Sequence, residues 1–333
     1  MLLTRLRSSL LKMKCKSPVS LKNGLVVPCG KCLLCLSARR DEWSVRIQLH
    51  SMAYDAKPFF VTLTYDNDHL VYGDEPTLVK SDLQNFIKRL KDRYDLYNSD
   101  FAFFGCGEYG DLLDRPHAHL LLFGFPALEK AYEEDWLKAN KIIRDVWKNG
   151  NVDVGVAEYS GMHYVTKYVL KYVDFNDYSE KQRPFIVYSN GIGLPWLQTD
   201  EARLLRSRLD MFKLRNVRIP ELRMYDDPKQ TLQCFRDAYS ELLKYFPLLQ
   251  VTLPSGRRVP LPRYLKKKLV GSFDCFQDNP LWIMNHIKQV IQSTDYILQM
   301  GDYDRESLQT YQSQVIEFAE RKILNRLIQN HHV

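Results

Sequence analysis

Hydrophobic and polar positions change period in an ordered way between residues 37 and 172. SARRDEWSVRIQLHSMAY (37–54) places Trp43, Ile47 and Met52 on one helical face. PFFVTLTY (58–65) is rich in β-branched and aromatic residues and predicts a strand. TLVKSDLQNFIKRLKDRY (77–94) carries Leu83, Phe86, Ile87 and Leu90 at helical spacing, with Ser81 as its expected N-cap. FAFFGCGE (101–108) and HAHLLLFGF (117–125) predict two strands joined by YGDLLDRP. A helix follows over about 128–148, ended by Gly150, then an alternating strand over 151–160 and a helix over 161–172.

The predicted order from Pro58 to Tyr172 is β-α-β-β-α-β-α, with the middle strands as a hairpin. This is an α+β pattern: an antiparallel sheet with helices on one face. Beyond residue 174, proline and glycine punctuate 184–195, and helical patterns recur at 199–213, 229–246, 279–300 and 304–329. Three parts are expected: a basic, cysteine-rich segment with a helix (1–54), an α+β domain (55–175) and a largely helical accessory region (176–333).

Charge sharpens this division. Residues 1–46 hold ten Lys/Arg against Asp41 and Glu42, a local excess of +8, although the whole chain carries only +7. Arg257, Arg258, Arg263, Lys266, Lys267 and Lys268 form a second basic run. With Arg39 and Arg40 these are candidate contacts for a polyanion, and Lys88 and Arg89 extend the set; the competing reading is a solvated, solubilising face. No apolar run approaches the roughly 18 residues of a membrane span. The opening MLLTRLRSSLLKMK lacks a long apolar core and a small-residue cleavage site, so it is expected to be the protein's own basic end.

The seven cysteines are odd in number, and Cys29, Cys32 and Cys35 stand in PCGKCLLC. Two-residue gaps suit thiolates converging on a metal in a reducing compartment, which places the protein in the cytoplasm. Cys15 is the nearest fourth ligand for a structural Zn²⁺; an iron–sulfur cluster and free thiols are the alternatives. Cys106, Cys234 and Cys275 are expected in the core.

Two further patterns carry chemistry. His117 and His119 alternate on one predicted strand and so share a face. If the hairpin pairs as expected, Glu108 lies opposite the histidine strand and completes a site suited to Mg²⁺ or Mn²⁺. The alternatives are structural histidines, and a glutamate ion-paired to Arg115. In YVTKYVLKY, Tyr164 and Tyr168 lie four apart on one helical face, with Lys167 and Lys171 each three beyond a tyrosine. A phenol with a pKa of about 10 is a poor nucleophile unless a metal polarises its target or a cation stands nearby. His163 reads as a packing or nucleic-acid contact.

Together, PCGKCLLC, FFVTLTYDNDHL, FGCGEYGDLLDRPHAHLLLFG and HYVTKYVLKY resemble the HUH endonucleases. More narrowly, they resemble replication initiators of the Microviridae, of gokushovirus type, with weaker echoes in GIG (191–193) and PRYLKKKL (262–269). The resemblance implies an HUH, RRM-like core and metal-dependent nicking of single-stranded DNA at a viral origin. It implies a 5′-phosphotyrosine intermediate on Tyr164 or Tyr168, then strand rejoining. His117, His119 and Glu108 match the metal ligands, and Lys167 and Lys171 the accompanying lysines. No Walker A motif is apparent, so strand separation falls to a host helicase and synthesis to a host polymerase, in the cytoplasm of a bacterial host. The rival readings are a plasmid- or transposon-type HUH enzyme, a water-using nuclease, and a zinc-stabilised nucleic-acid-binding protein without catalysis.

Overall fold

In the computed structural model the described residues are 15–21, 26–72, 76–110, 114–167, 181–214, 223, 225, 227–245, 249–270 and scattered positions between 287 and 298. They form two compact units. One comprises residues 39–199 with 252–262, and the other comprises residues up to 38 with 200–251 and the positions from 263 onward.

The first unit is built on a five-stranded sheet. Its elements are α1 (Leu33–Tyr54, entering from the other unit), β1 (Phe59–Tyr65), α2 (Lys80–Tyr94), β2 (Ala102–Tyr109), β3 (Pro116–Phe123), α3 (Pro126–Glu134), α4 (Trp136–Trp147), β4 (Gly150–Val156), α5 (Tyr159–Thr166) and β5 (Phe185–Tyr188). The strand order is β4-β1-β3-β2-β5, and every pairing is antiparallel. The α+β class and the central hairpin therefore stand as expected.

The sheet is covered on both faces, where helices on one were expected. Leu83, Phe86, Ile87 and Leu90 of α2, with Leu128 of α3 and Ile143 and Trp147 of α4, pack on Val61, Leu63, Leu120 and Leu122. Trp43 and Ile47 of α1 and Met162 and Val165 of α5 pack on Phe104, Cys106, Leu121 and Phe123. The cause lies in the run LLLF: alternating side chains there are apolar on both sides, so each face needs a cover.

Three boundaries also differ from the sequence reading. Helix α2 starts at Lys80, and Val79 rather than Ser81 takes the cap position. The helix expected over 128–148 is two helices, because Asp135 turns extended and its side chain accepts from the Leu137 N–H, capping α4. Strand β5 falls in the punctuated stretch that had no predicted element, where it adds a short edge. At the opposite edge, the Trp136 indole N–H donates to the Val154 carbonyl of β4 at 2.8 Å.

The second unit holds a two-stranded ribbon (Val19–Ser20 with Val26–Val27) and helices α6 (Asp200–Leu214), α7 (Pro228–Tyr245) and α8 (Arg263–Val270). Leu205, Leu232, Phe235, Leu265, Leu269 and Ile287 are buried in it, and Arg236 pairs with Asp295 at 3.0 Å. The helical patterns at 199–213 and 229–246 are present; that at 304–329 lies outside the described residues. Among the described residues no helix is long and apolar enough to cross a membrane.

Candidate active site

Strand register assembles the site. Glu108 of β2 stands directly across from His117 of β3, and Cys106 directly across from His119. On the other side of β3, Thr62 of β1 faces His119 and Thr64 faces His117. With a period of two, Glu108, His117, His119, Thr62 and Phe60 all share the face covered by α1 and α5.

Glu108 is 2% exposed, and one of its oxygens, Oε1, lies 3.1 Å from Nε2 of both His117 and His119. The three ligand atoms sit within 4.8 Å of one another. Both imidazoles are held from behind. His117 Nδ1 is 3.0 Å from the Arg115 carbonyl, and His119 Nδ1 is 3.1 Å from Thr62 Oγ1. A carbonyl partner makes His117 Nδ1 the protonated nitrogen, which leaves Nε2 a lone pair facing Glu108. Two Nε2 donors and one carboxylate oxygen on a common centre fit a divalent cation. Arg115 itself donates to the Tyr65 carbonyl at 2.7 Å and to Asn67 at 2.8 Å, so it ties the hairpin end to β1.

Tyr164 lies over this centre from α5. Its ring is 5.8 Å from that of His119, nearly edge-on, and 6.2 Å from that of Phe60. Lys167 Nζ is 4.8 Å from the centroid of the Tyr164 ring. Burial, and then the charge of Arg40, hold Lys167 below the ordinary lysine range. The neighbouring His163 turns to α1, its Nδ1 3.0 Å from Ser44 Oγ. Tyr168 and Lys171 lie outside the described residues, as do Cys275 and His286.

In the other unit the sulfurs of Cys15, Cys29, Cys32 and Cys35 also converge within 4.8 Å. Backbone N–H groups point at them: Cys29 N–H at Cys15 Sγ (3.2 Å), and Lys31 and Cys32 N–H at Cys29 Sγ (3.4 and 3.3 Å). Burial works against a Cys29 thiolate, but these donors and the neighbouring thiols outweigh it and bring its pKa down to about 6. Burial raises Cys15 and Cys35. The donor set and the inward N–H groups fit a closed tetrahedral thiolate site.

The basic candidates scatter. Arg39, Arg257, Arg258, Arg263, Lys267 and Lys268 are exposed, and Lys266 is half-buried. Arg40 is buried and bonds Asp41 through Nε (2.9 Å) and Nη2 (2.6 Å). Arg89 donates to the carbonyls of Val146 and Trp147 and so closes the end of α4, while Lys88 is exposed. Sequence reasoning missed Thr62 and Ser44. For Thr62 the signal was the alternation in TLT beside a histidine strand; Ser44 meets its partner from 119 positions away and left no local signal.

Residues 58–173 match the family of the replication-associated protein ORF2. The chain is 30% identical over 192 residues to replication-associated protein ORF2 of Spiroplasma virus 4, covering 54% of this chain and 59% of that one. It is 34% identical over 155 residues to replication-associated protein ORF4 of Chlamydia phage 1 (44% and 38% covered), and 32% over 184 to replication-associated protein VP4 of Bdellovibrio phage phiMH2K (51% and 57%). The chain thus spans between 38% and 59% of the length of these curated relatives. No solved structure matches it. The segment that carries the sheet, the histidine pair, Glu108 and Tyr164 belongs to the replication-associated protein ORF2 family, and the likeness to replication proteins of small phages stands.

Proposed function

We propose that the protein initiates rolling-circle replication by nicking single-stranded DNA at a viral origin with a tyrosine nucleophile. The observation that carries this reading is the placement of Tyr164 above two Nε2 donors and a buried carboxylate oxygen. Glu108, His117 and His119 would hold Mg²⁺ or Mn²⁺. Such an ion, when bound, polarises the scissile phosphate and offsets the charge that develops on it.

The remaining work falls to the side chains. Lys167, beside the Tyr164 ring, favours the phenolate over the phenol and so raises the fraction of competent nucleophile. Tyr164 Oη bonds to phosphorus as the P–O3′ bond breaks. The phenolic proton passes to solvent, and the departing oxygen takes up a proton as a free 3′-hydroxyl. The 5′-phosphotyrosine conserves the phosphodiester bond energy, so attack by a 3′-hydroxyl rejoins the strand without ATP. Tyr168, four residues on, is the second nucleophile, and Lys171 its accompanying lysine.

The four cysteines hold a structural Zn²⁺ in this reading, which keeps the basic N-terminal segment in shape. The surface arginines and lysines contact phosphates and make affinity salt-dependent. Helicase and polymerase come from the bacterial host, in whose cytoplasm the protein acts.

The test is a denaturing gel of end-labelled single strands from the encoding genome, incubated with protein and Mn²⁺ or Mg²⁺. A metal-dependent covalent adduct is expected. It should be lost in the Tyr164→Phe/Tyr168→Phe double variant and in His117→Ala/His119→Ala. Cleavage without adduct would instead identify a water-using nuclease, and binding without cleavage a binding protein.

A further inference from the structure

One cluster near Tyr164 is not used by the chemistry above. Arg40 and Ser44 lie one helical turn apart on α1 and so share a face. Ser44 holds His163 of α5 at 3.0 Å. Arg40, Lys167 and Arg257 are all close enough that their charges act on His163, and Arg40 acts on Lys167 as well. Asp41 is the opposing carboxylate among the groups that act on His163. Three fixed cations thus face one acid in a partly buried place.

Arg40 is the informative member. Its side chain is 11% exposed, whereas that of Asp41 is 60% exposed. Asp41 takes Nε and Nη2 through a single oxygen, which leaves Nη1 of a buried guanidinium for another acceptor. Buried guanidinium donors are costly to leave unmade, and a phosphate oxygen is their natural complement. Arg257 adds an exposed guanidinium that reaches the same group of charges.

We propose that Arg40, His163, Lys167 and Arg257 form an anion subsite beside Tyr164, on the α1 side, that grips a backbone phosphate adjacent to the one attacked. The subsite is separate from the carboxylate–histidine centre. It fixes the strand by its backbone, so it is indifferent to base sequence. Arg40 and Arg257 are positioning residues: they hold the neighbouring phosphate so that the scissile one meets Tyr164 Oη. The role of the gripped strand as a nicking substrate rests on the function proposed above, but the grip itself does not.

Two measurements test it. The first is fluorescence anisotropy of a labelled oligo(dT) strand titrated at several salt concentrations, without divalent metal. Each phosphate contact on a single strand contributes about −0.7 to the slope of log K against log salt. Arg40→Gln and Arg257→Ala are each expected to flatten the slope by about that amount. Arg93→Ala, on α2 and paired with Asp145 at 3.6 Å, is expected to leave it unchanged. Arg257 is exposed, so its variant carries the test even if Arg40→Gln folds poorly. The second measurement uses the nicking substrate with one methylphosphonate at each linkage in turn. In the wild type a neutral linkage next to the cleaved one is expected to raise KM several-fold. In the Arg40→Gln/Arg257→Ala double variant that same linkage should make no further difference. Unchanged slopes, or equal methylphosphonate sensitivity in both proteins, overturn the subsite. A wild type that forms no adduct but shows the slope changes overturns the nicking reading and leaves the subsite in place.

Discussion

At the scale of single residues, the metal site depends on what stands behind its ligands. Thr62 fixes His119 through Nδ1, and the removal of such a supporting group typically lowers metal affinity 10–100-fold. Thr62→Val keeps the shape and removes the hydroxyl. Titration of the protein with Mn²⁺ should show affinity lost in that range with little change in the thermal midpoint. A midpoint drop without loss of affinity would reduce Thr62 to a packing role. His50 makes a different prediction. It is 2% exposed on α1, accepts the Gly193 N–H at 3.2 Å, and burial depresses its pKa from 6.5 to about 4. The neutral form is therefore the folded form. Its contribution is complete above pH 6.5 and declines as the pH falls toward 4, because the unfolded chain takes up the proton first. At about 1.4 kcal/mol per pKa unit the full effect is roughly 3 kcal/mol. Urea unfolding at pH 7.5 and pH 5 should show the loss, and His50→Leu should be flatter between the two. Equal pH dependence in both proteins would show that other groups govern it.

At the scale of elements, β2 carries the tightest constraint. A Cβ on Gly105 would stand 2.5 Å from Leu120 Cδ2 and 2.8 Å from the His119 carbonyl, and one on Gly107 would stand 2.6 Å from the Phe185 ring. Gly105→Ala pushes on the backbone of the histidine strand and is expected to cost about 1–3 kcal/mol, as overpacked cores do. Chemical denaturation measures it; a neutral result would mean that β3 yields more easily than its ladder suggests. The same strands show what is legible in the chain. The hairpin and its shared face follow from period-two alternation, so Glu108, His117 and His119 can be grouped from the sequence alone. The second cover of the sheet is implicit in the LLLF run, but an apolar run does not say which helices will occupy its sides. Strand β5 is four residues at an edge, too short to show a period. The break between α3 and α4 hides because apolar spacing continues across Asp135. The grip of Arg46 on the Ile192 carbonyl spans 146 positions and has no local trace.

At the scale of the whole molecule, the two candidate metal centres lie in different units and use different donors. Four sulfurs favour a soft, tightly held ion, whereas two imidazoles and a carboxylate leave open positions for exchange. A strong chelator at neutral pH is therefore expected to act in two stages. The carboxylate–histidine site should empty readily with little structural consequence, since strand register already holds its ligands. Stripping the cysteine site should lower the stability of the unit that contains it. Calorimetry with metal analysis would follow both. Cys29→Ser/Cys32→Ser should carry less zinc and reproduce the second stage alone; a variant with full zinc content and an unchanged unfolding profile would exclude a structural ion there.

The register that sets Glu108 across from His117 also dictates where this sequence can change length. One residue added to or removed from β2 between Cys106 and Glu108 would turn the carboxylate to the opposite face, among the buried side chains of α2 and α4. No substitution elsewhere would bring it back. The connection between Gly110 and Asp114 lies beyond the last ladder pair, Tyr109 with Pro116. Insertions there leave every ligand on its own side. Related chains are therefore free to differ in length in that connection, while the spacing within each strand is as fixed as the identity of the residues it presents.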